Sequence, residues 1–491
     1  MDSASRAKNY VKNRLKSNLI KGTLILSGAS ILTRIIGFIY RIYLADILGE
    51  QLLGTYQLIF PIYVLCFTIY GAGMQSAISQ VVATIIGHSY SNTHKKISSI
   101  NATPRNILIA GSIISFVIAL LLCVMINLNS TWIACHILMV PDCDIYLKLL
   151  TYLFPFCSIS ACICGYQYGL ENAKPPAIAG IIEQITRILF VFIVQGFFSD
   201  KEICCQIAVY GLTVGEFFGF IYNIYSLKTK KAIKAKNQKQ IVHNSDLSEA
   251  SDITLTKQSL RRQQLKNKAL AKRKNKASLN ESFKILIPVF ISLTSIKLTI
   301  SLLHSVESIF IPAALVKYGY TMNEALSVYG IYSGMAMPFI LFPATITMAI
   351  STMLLPAVSK AHSAGNKKQI KKLIRRTSYF CLITGMVATV FFLIFGNVCA
   401  ELFFHNELAG RYLTIMSFLC PFLYLNTTYS SILNGLGKPH MTFVITIICT
   451  LIKIVSLIFF VPQYGMIAYI FASLVSEILL CIMLKHYCEK G

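Results

Sequence analysis

The chain has 491 residues, 55% of them hydrophobic and only 13% charged, and carries a net charge of +25. An ordinary soluble domain carries roughly a quarter charged residues, so the composition excludes one. Apolar runs of about 20 residues, long enough to cross a hydrocarbon core of roughly 30 Å, make this a polytopic membrane protein.

The first 20 residues are rich in Lys and Arg but lack the short apolar region and small-residue site of a cleavable leader. Apolar runs between polar breaks then predict twelve spans: 22–45, 53–83, 106–128, 146–169, 177–198, 203–227, 283–306, 326–356, 377–398, 411–432, 441–461 and 464–484. With the N-terminus placed inside, 36 of the 45 Lys and Arg fall on the inner side and four on the outer. Positive charge favours cytoplasmic loops, so a cell-membrane protein with both termini cytoplasmic is expected. The net charge is thereby read as a topology signal, and no nucleic-acid partner is expected.

The basic segment 228–281 divides the spans into six and six, giving an N-terminal lobe at 1–227 and a C-terminal lobe at 282–491. Its Lys, Asn, Gln and Ser content cannot bury a core, so a solvated, largely disordered cytoplasmic loop is expected. An anionic-lipid patch is the alternative. With six spans each, the halves start on the same side, so any repeat is parallel. Lys-Pro recurs in ENAKPPA (171–177) and GLGKPHM (435–441), and AISQVVA (77–83) and LLPAVSK (354–360) close the second spans. Arg34 and Arg41 in the first span correspond to Lys297 and His304 at an offset of 263.

Seven residues make two helical turns, so Arg34 and Arg41 share one face, as do Lys297 and His304. Arg34 lies about 18 Å above the inner boundary at 1.5 Å per residue, near the bilayer centre. An arginine facing lipid there costs roughly 2.5–3.5 kcal/mol on insertion scales, a cost relieved by a water-filled cavity. Two basic faces opposed across such a cavity suit a diphosphate. For Arg41 the plain alternative is snorkelling, or pairing with Asp46 or Glu50. Glu183 and Arg187, at i and i+4, read as an intrahelical ion pair or a gate. Glu216, Glu307, Lys453 and Glu477 are further candidates for gating or ion coupling. His304 reads as a titrating switch or, more plainly, a satisfied neutral histidine. Pro61, Pro338, Pro343 and Pro356 bend or hinge their spans.

Most of the fifteen cysteines lie in apolar runs and behave as small hydrophobes. Their spacing gives no zinc site. Cys135 and Cys143 share a predicted outer loop, where pairing would need an oxidising compartment.

Three stretches, KGTLILSGASILTRIIGFIYRIYLADILGEQLLGTYQLIFP (21–61), GYQYGLENAKPPAIAGIIEQITRI (165–188) and MAISTMLLPAVSKA (348–361), closely resemble the polysaccharide-exporter branch of the multidrug/oligosaccharidyl-lipid/polysaccharide superfamily. The lipid II flippases are related to that branch. The resemblance spans nearly the whole chain. It implies two six-helix lobes forming a V around a central cationic cavity, and transport of an undecaprenyl-diphosphate-linked sugar for spore cortex peptidoglycan. Its first-helix T-R-x-x-G-F-x-x-R pattern falls on Arg34 and Arg41, and its E-Q-x-x-R pattern on Glu183, Gln184 and Arg187. The chain departs from the lipid II flippases in having twelve predicted spans rather than fourteen, and in its long basic inter-lobe segment.

The expectation is therefore a monomeric, non-enzymatic flippase without a cofactor, partnered by its lipid-linked glycan and membrane lipids. Sodium, protons or the membrane potential are open as the driving force, and a peptidoglycan synthase as a partner. A cation-coupled multidrug exporter is the nearest rival and should line its cavity with carboxylates. A membrane glycan polymerase or glycosyltransferase would need a sizeable catalytic loop.

Overall fold

The computed structural model describes residues 2–90, 102–245 and 257–489, with side chains over 28–86, 102–228, 279–362 and 364–489. Helices dominate, and no strand occurs among the described residues. The first half comprises α1 (Asp2–Leu58), α2 (Phe60–Phe67), α3 (Gly73–Tyr90), α4 (Pro104–Trp132), α5 (Cys143–Thr151), α6 (Phe154–Gly169), α7 (Lys174–Gln195) and α8 (Lys201–Ser245). The second comprises α9 (Lys257–Tyr318), α10 (Met322–Gly330), α11 (Met337–Leu341), α12 (Ala344–Ser363), α13 (Lys367–Phe404), α14 (Glu407–Met416), α15 (Cys420–Gly435), α16 (Pro439–Phe459), α17 (Val461–Tyr464) and α18 (Met466–Glu489).

Ten helices among the described residues are long and apolar enough to cross a membrane, or eleven if the bent pair α5–α6 is one span. The count of twelve needs one division more. Gly28–Ile86 runs for 59 residues, about three times what a bilayer requires, and α1 breaks at Gly49 (φ 71°, ψ −180°). Left-handed φ costs glycine little because it lacks a Cβ, so the chain can reverse there.

Helix also extends into the segment read as a disordered loop. α8 reaches Ser245 and α9 starts at Lys257, while 246–256 lie outside the described residues. The physical reason is propensity: Lys, Arg, Gln, Ala and Leu, which fill this stretch, are good helix formers even where they bury nothing. Cys135 and Cys143 are both free thiols, the first exposed and the second buried.

The same packing recurs in the two halves. α3 and α4 both pack on α6, and α7 on α8; likewise α12 and α13 pack on α15, and α16 on α18. A Cβ added to Gly169 would meet the Ser79 carbonyl at 2.8 Å and Val82 Cβ at 2.8 Å. One added to Gly435 would meet the Leu355 carbonyl at 2.9 Å and Val358 Cβ at 3.0 Å. Ser79 and Val82 lie within AISQVVA, and Leu355 and Val358 within LLPAVSK, each pair against a span-closing glycine, so the sequence echo coincides with a recurring packing contact. π-helical turns at Thr68–Ala72 and Ile331–Ala336 occupy matching places as well.

Two seams join the halves. In one, α1 lies along α10 and α12; in the other, α9 lies along α2, α3 and α4. The second seam is a polar ladder. Ser305 donates to the Pro61 carbonyl at 3.0 Å, Ser301 meets Thr68 at 2.9 Å, and Lys297 Nζ donates to the Ala72 carbonyl at 2.8 Å and Ser76 Oγ at 2.5 Å. Below it, Met74, Ala77 and Ile78 bury against Leu286 and Phe290.

Candidate functional site: an arginine-lined cavity at the first seam

Arg34, Gly37 and Arg41 stand at i, i+3 and i+7 on α1, one face of the helix. All three line a cavity of about 500 Å³ between α1, α7 and the α11–α12 corner. Gly37 forms its floor: an added Cβ would lie 3.9 Å from Gln184 Oε1, so a larger side chain would fill the space between the arginines. Thr33, Gln57 and Gln184 add neutral polar groups, and Arg187 brings a third cation.

The cations differ in their partners. Arg34 Nη1 reaches Met348 Sδ at 2.9 Å, a weak acceptor that cannot offset its charge. Arg41 makes no ion pair among the described residues, and Glu50, one of its two expected partners, instead accepts from Asn406. Arg187 pairs with Glu183 along α7, as the spacing predicted. Yet Arg187 Nε is buried with no hydrogen-bond partner, and so is Tyr40 Oη, whose residue lines the same cavity from α1. Buried polar groups are normally paired, so these two stand ready for an acceptor.

α8 lies tight against the Glu183–Arg187 turn. A Cβ on Gly215 would come within 2.7 Å of the Glu183 carbonyl and 3.1 Å of Arg187 Cβ. Gly211, Gly215 and Gly219 form a small-residue stripe at four-residue spacing, the pattern that lets membrane helices approach closely. Glu216 follows Gly215 on this helix and does not line the cavity.

At the Gly49 end the cavity is closed. A Cβ on Gly54 would lie 2.0 Å from the Leu326 carbonyl, and one on Gly330 would lie 2.2 Å from the Glu50 carbonyl, so the two backbones touch. Phe38 packs on Phe339 and Phe342 with ring centroids 4.7 and 4.6 Å apart, clasping the side. Towards the other end of the bundle a second cavity of about 370 Å³ adjoins through Arg34 and Thr345. Thr427, Ser430, Ser431 and Asn434 line it, at i, i+3, i+4 and i+7 of α15. That polar face within an apolar span was legible in LNTTYSSILN but is absent from the sequence-derived candidates.

Lys297 and His304 do not line the arginine cavity, which corrects the picture of two basic faces opposed across one space. The C-terminal wall there is Pro338, Leu341, Phe342 and Thr345. Lys297 is held by the Ala72 carbonyl and Ser76 at the second seam, where the π-turn of the opposing span turns that carbonyl to it. His304 belongs to a separate cavity of about 290 Å³ within the second half, with Glu307, Lys453 and Glu477. There Glu307 accepts from Lys453 Nζ at 2.9 Å and Tyr469 Oη at 2.7 Å, and lies 3.2 Å from His304 Nδ1. Glu477 accepts from Asn426 Nδ2 at 2.8 Å. No group of three metal-ligating side chains occurs among the described residues.

A helical membrane bundle with a cationic cavity at the seam of two like halves is the architecture of a transporter. The polysaccharide biosynthesis protein family model matches residues 19–362, and a MatE model matches 302–459. The chain belongs to the polysaccharide biosynthesis protein family, in the polysaccharide-exporter branch of the superfamily that also holds the MATE transporters. It is 24% identical to stage V sporulation protein B of Bacillus subtilis, over 89% of this chain and 77% of that one. To the lipid II flippase MurJ of the same organism it is 21% identical, over 90% and 77%. Its fold resembles an inward-facing MATE family multidrug transporter of the MOP superfamily (TM-score 0.66, 13% identity, 95% of this chain and 98% of that one). It also resembles a MOP superfamily transporter from Pyrococcus furiosus described as having a binding pocket of reverse polarity (TM-score 0.62, 14% identity, 96% of each).

Proposed function

We propose that this membrane transporter is a flippase, carrying an undecaprenyl-diphosphate-linked sugar, lipid II or a similar cell-wall precursor, from the inner to the outer leaflet. The observation that carries the proposal is the cavity: three guanidinium groups with one paired carboxylate between them, and two buried polar groups waiting for an acceptor. A diphosphate supplies both charge and acceptor oxygens, and arginine's planar fork suits phosphate. The relationship to stage V sporulation protein B and to a lipid II flippase favours a precursor for spore cortex peptidoglycan.

In this reading both termini are cytoplasmic, and the seam closed at Gly54 and Gly330 faces outward. The headgroup enters along the Ser/Thr-lined track of α15, takes Arg34 from Met348, and engages Arg41 and Arg187. The halves then rock, opening the glycine seam, while the lipid tail stays in the bilayer. The protein acts as a monomer, without cofactor and without bond-making chemistry. The membrane potential, negative inside, favours return of the cationic cavity; sodium or proton coupling would act through Glu307, Lys453 and Glu477 in the second half. A peptidoglycan synthase would take over the delivered precursor.

The fold is shared with cation-coupled drug exporters, but a cavity with three arginines repels cationic drugs. The decisive assay is headgroup translocation of labelled lipid II in proteoliposomes, wild type beside Arg34→Ala. Loss of transport in a folded variant supports the reading. Normal flipping by Arg34→Ala refutes the role given to the arginines, and uptake of an organic cation instead refutes the substrate class.

A further inference from the structure

A cavity of about 890 Å³ lies well away from the arginine site and shares no residue with it. α13 and α18 both pack on α15, and between them they leave a groove with Leu425 and Tyr429 of α15 among its lining residues. Its polarity changes along its length. Lys367, Lys371 and Arg375 follow one another at four-residue spacing along α13, and Lys485 lies opposite on α18. These basic residues fall just outside the apolar runs 377–398 and 464–484. Deeper along the same walls stand Ser378, Leu382, Cys481 and Ile482.

None of the four cations makes an ion pair among the described residues, and Glu489 is the single acid on the groove's lining. Fixing topology does not require this ridge, because Lys368, Lys372 and Arg376 provide a second one a residue further on. A basic mouth at the membrane boundary, opening on an apolar cleft between helices, matches an amphiphile with an anionic head.

We propose that this groove binds one anionic phospholipid. Its phosphate is held by Lys371, Arg375 and Lys485, and an acyl chain lies along Leu382 and Ile482. All three helices belong to one half of the molecule, so the lipid stays bound whichever way the halves are disposed. The proposal does not depend on the transported substrate.

The test is native mass spectrometry of the purified full-length protein in neutral detergent. Phosphatidylglycerol is titrated against phosphatidylcholine of the same acyl chains, with free pyrophosphate as competitor. The first phosphatidylglycerol adduct should form at least tenfold more readily than the phosphatidylcholine adduct. Arg375→Gln should weaken it about fivefold, the value of one basic group near an anionic headgroup. The triple variant Lys371→Gln/Arg375→Gln/Lys485→Gln should abolish the preference. Leu382→Trp, which narrows the cleft and leaves every charge, should also weaken the adduct; it decides the matter alone if the triple variant elutes as aggregate. Arg34→Ala should retain the lipid as the wild type does. Equal binding of the two lipids, or wild-type binding by the triple variant, overturns the proposal. So does loss of the adduct in Arg34→Ala, which would put the lipid in the arginine cavity. Full displacement by pyrophosphate together with an indifferent Leu382→Trp would reduce the site to one for a bare anion and overturn it equally.

Discussion

Arg34 sits deep in a span yet touches nothing stronger than a thioether. A charge so placed is tolerable because it faces a cavity, and in the proposed cycle an incoming phosphate would displace a weak acceptor at little cost. Hydrogen bonds to charged groups are worth about 1.5–3 kcal/mol, so Arg34→Ala should slow transport about ten- to a hundredfold without loss of fold. Arg34→Lys, which keeps charge but loses the fork, should fall between, as initial rates in proteoliposomes will read. Lys453 is a different kind of residue. It neutralises Glu307, which is only 5% exposed, so Lys453→Ala leaves an uncompensated buried carboxylate. A loss of about 3–5 kcal/mol is expected from thermal unfolding in detergent. Lys453→Met/Glu307→Gln, which removes both charges, should restore most of it. If the double variant were no more stable than the single, the pair would not be the source.

At the scale of elements, glycine decides where helices meet. Gly54 and Gly330 bring two backbones into contact, and Gly211, Gly215 and Gly219 press α8 onto the Glu183–Arg187 turn. Overpacking typically costs about 1–3 kcal/mol, so Gly330→Val should lower the melting temperature or part α1 from α10. Thiol labelling of Leu326→Cys would distinguish these outcomes, rising only if the seam opens. The apolar runs were readable because hydropathy is a local property, whereas the α8 stripe, though equally local in its four-residue spacing, is absent from the sequence-derived candidates. The π-turns at Thr68–Ala72 and Ile331–Ala336 were not readable, since they show no periodicity of their own in the sequence. They matter nonetheless: one carries the Ala72 carbonyl that holds Lys297, a residue whose spacing alone had put it across from Arg34.

For the whole molecule, the proposed cycle requires the first seam to open at the Gly49 end. Glu50 and Asn406 join the halves there. Oxidative closure of Glu50→Cys/Asn406→Cys should stop translocation, and reductant should restore it. Undiminished transport by the cross-linked protein would show that this end does not part during the cycle. The second seam, with its ladder from Ser305 to Lys297, is held by hydrogen bonds that each contribute roughly 0.5–1.5 kcal/mol. Replacing Lys297 by Met should therefore loosen the halves rather than remove a substrate contact. Distance measurements across α3 and α9 should broaden while binding of the diphosphate headgroup is retained.

Sequence by itself determined a helical membrane protein, the face shared by Arg34 and Arg41, and the pairing of Glu183 with Arg187. Each follows from spacing along one helix, which sequence records directly. Tertiary structure alone decided that Arg187 joins the cavity, that Lys297 and His304 leave it for separate sites, and that α13, α15 and α18 enclose a second basic groove. Those outcomes depend on which helix faces meet and how closely. Close approach is set by complementary surfaces from distant parts of the chain, and no local pattern contains both.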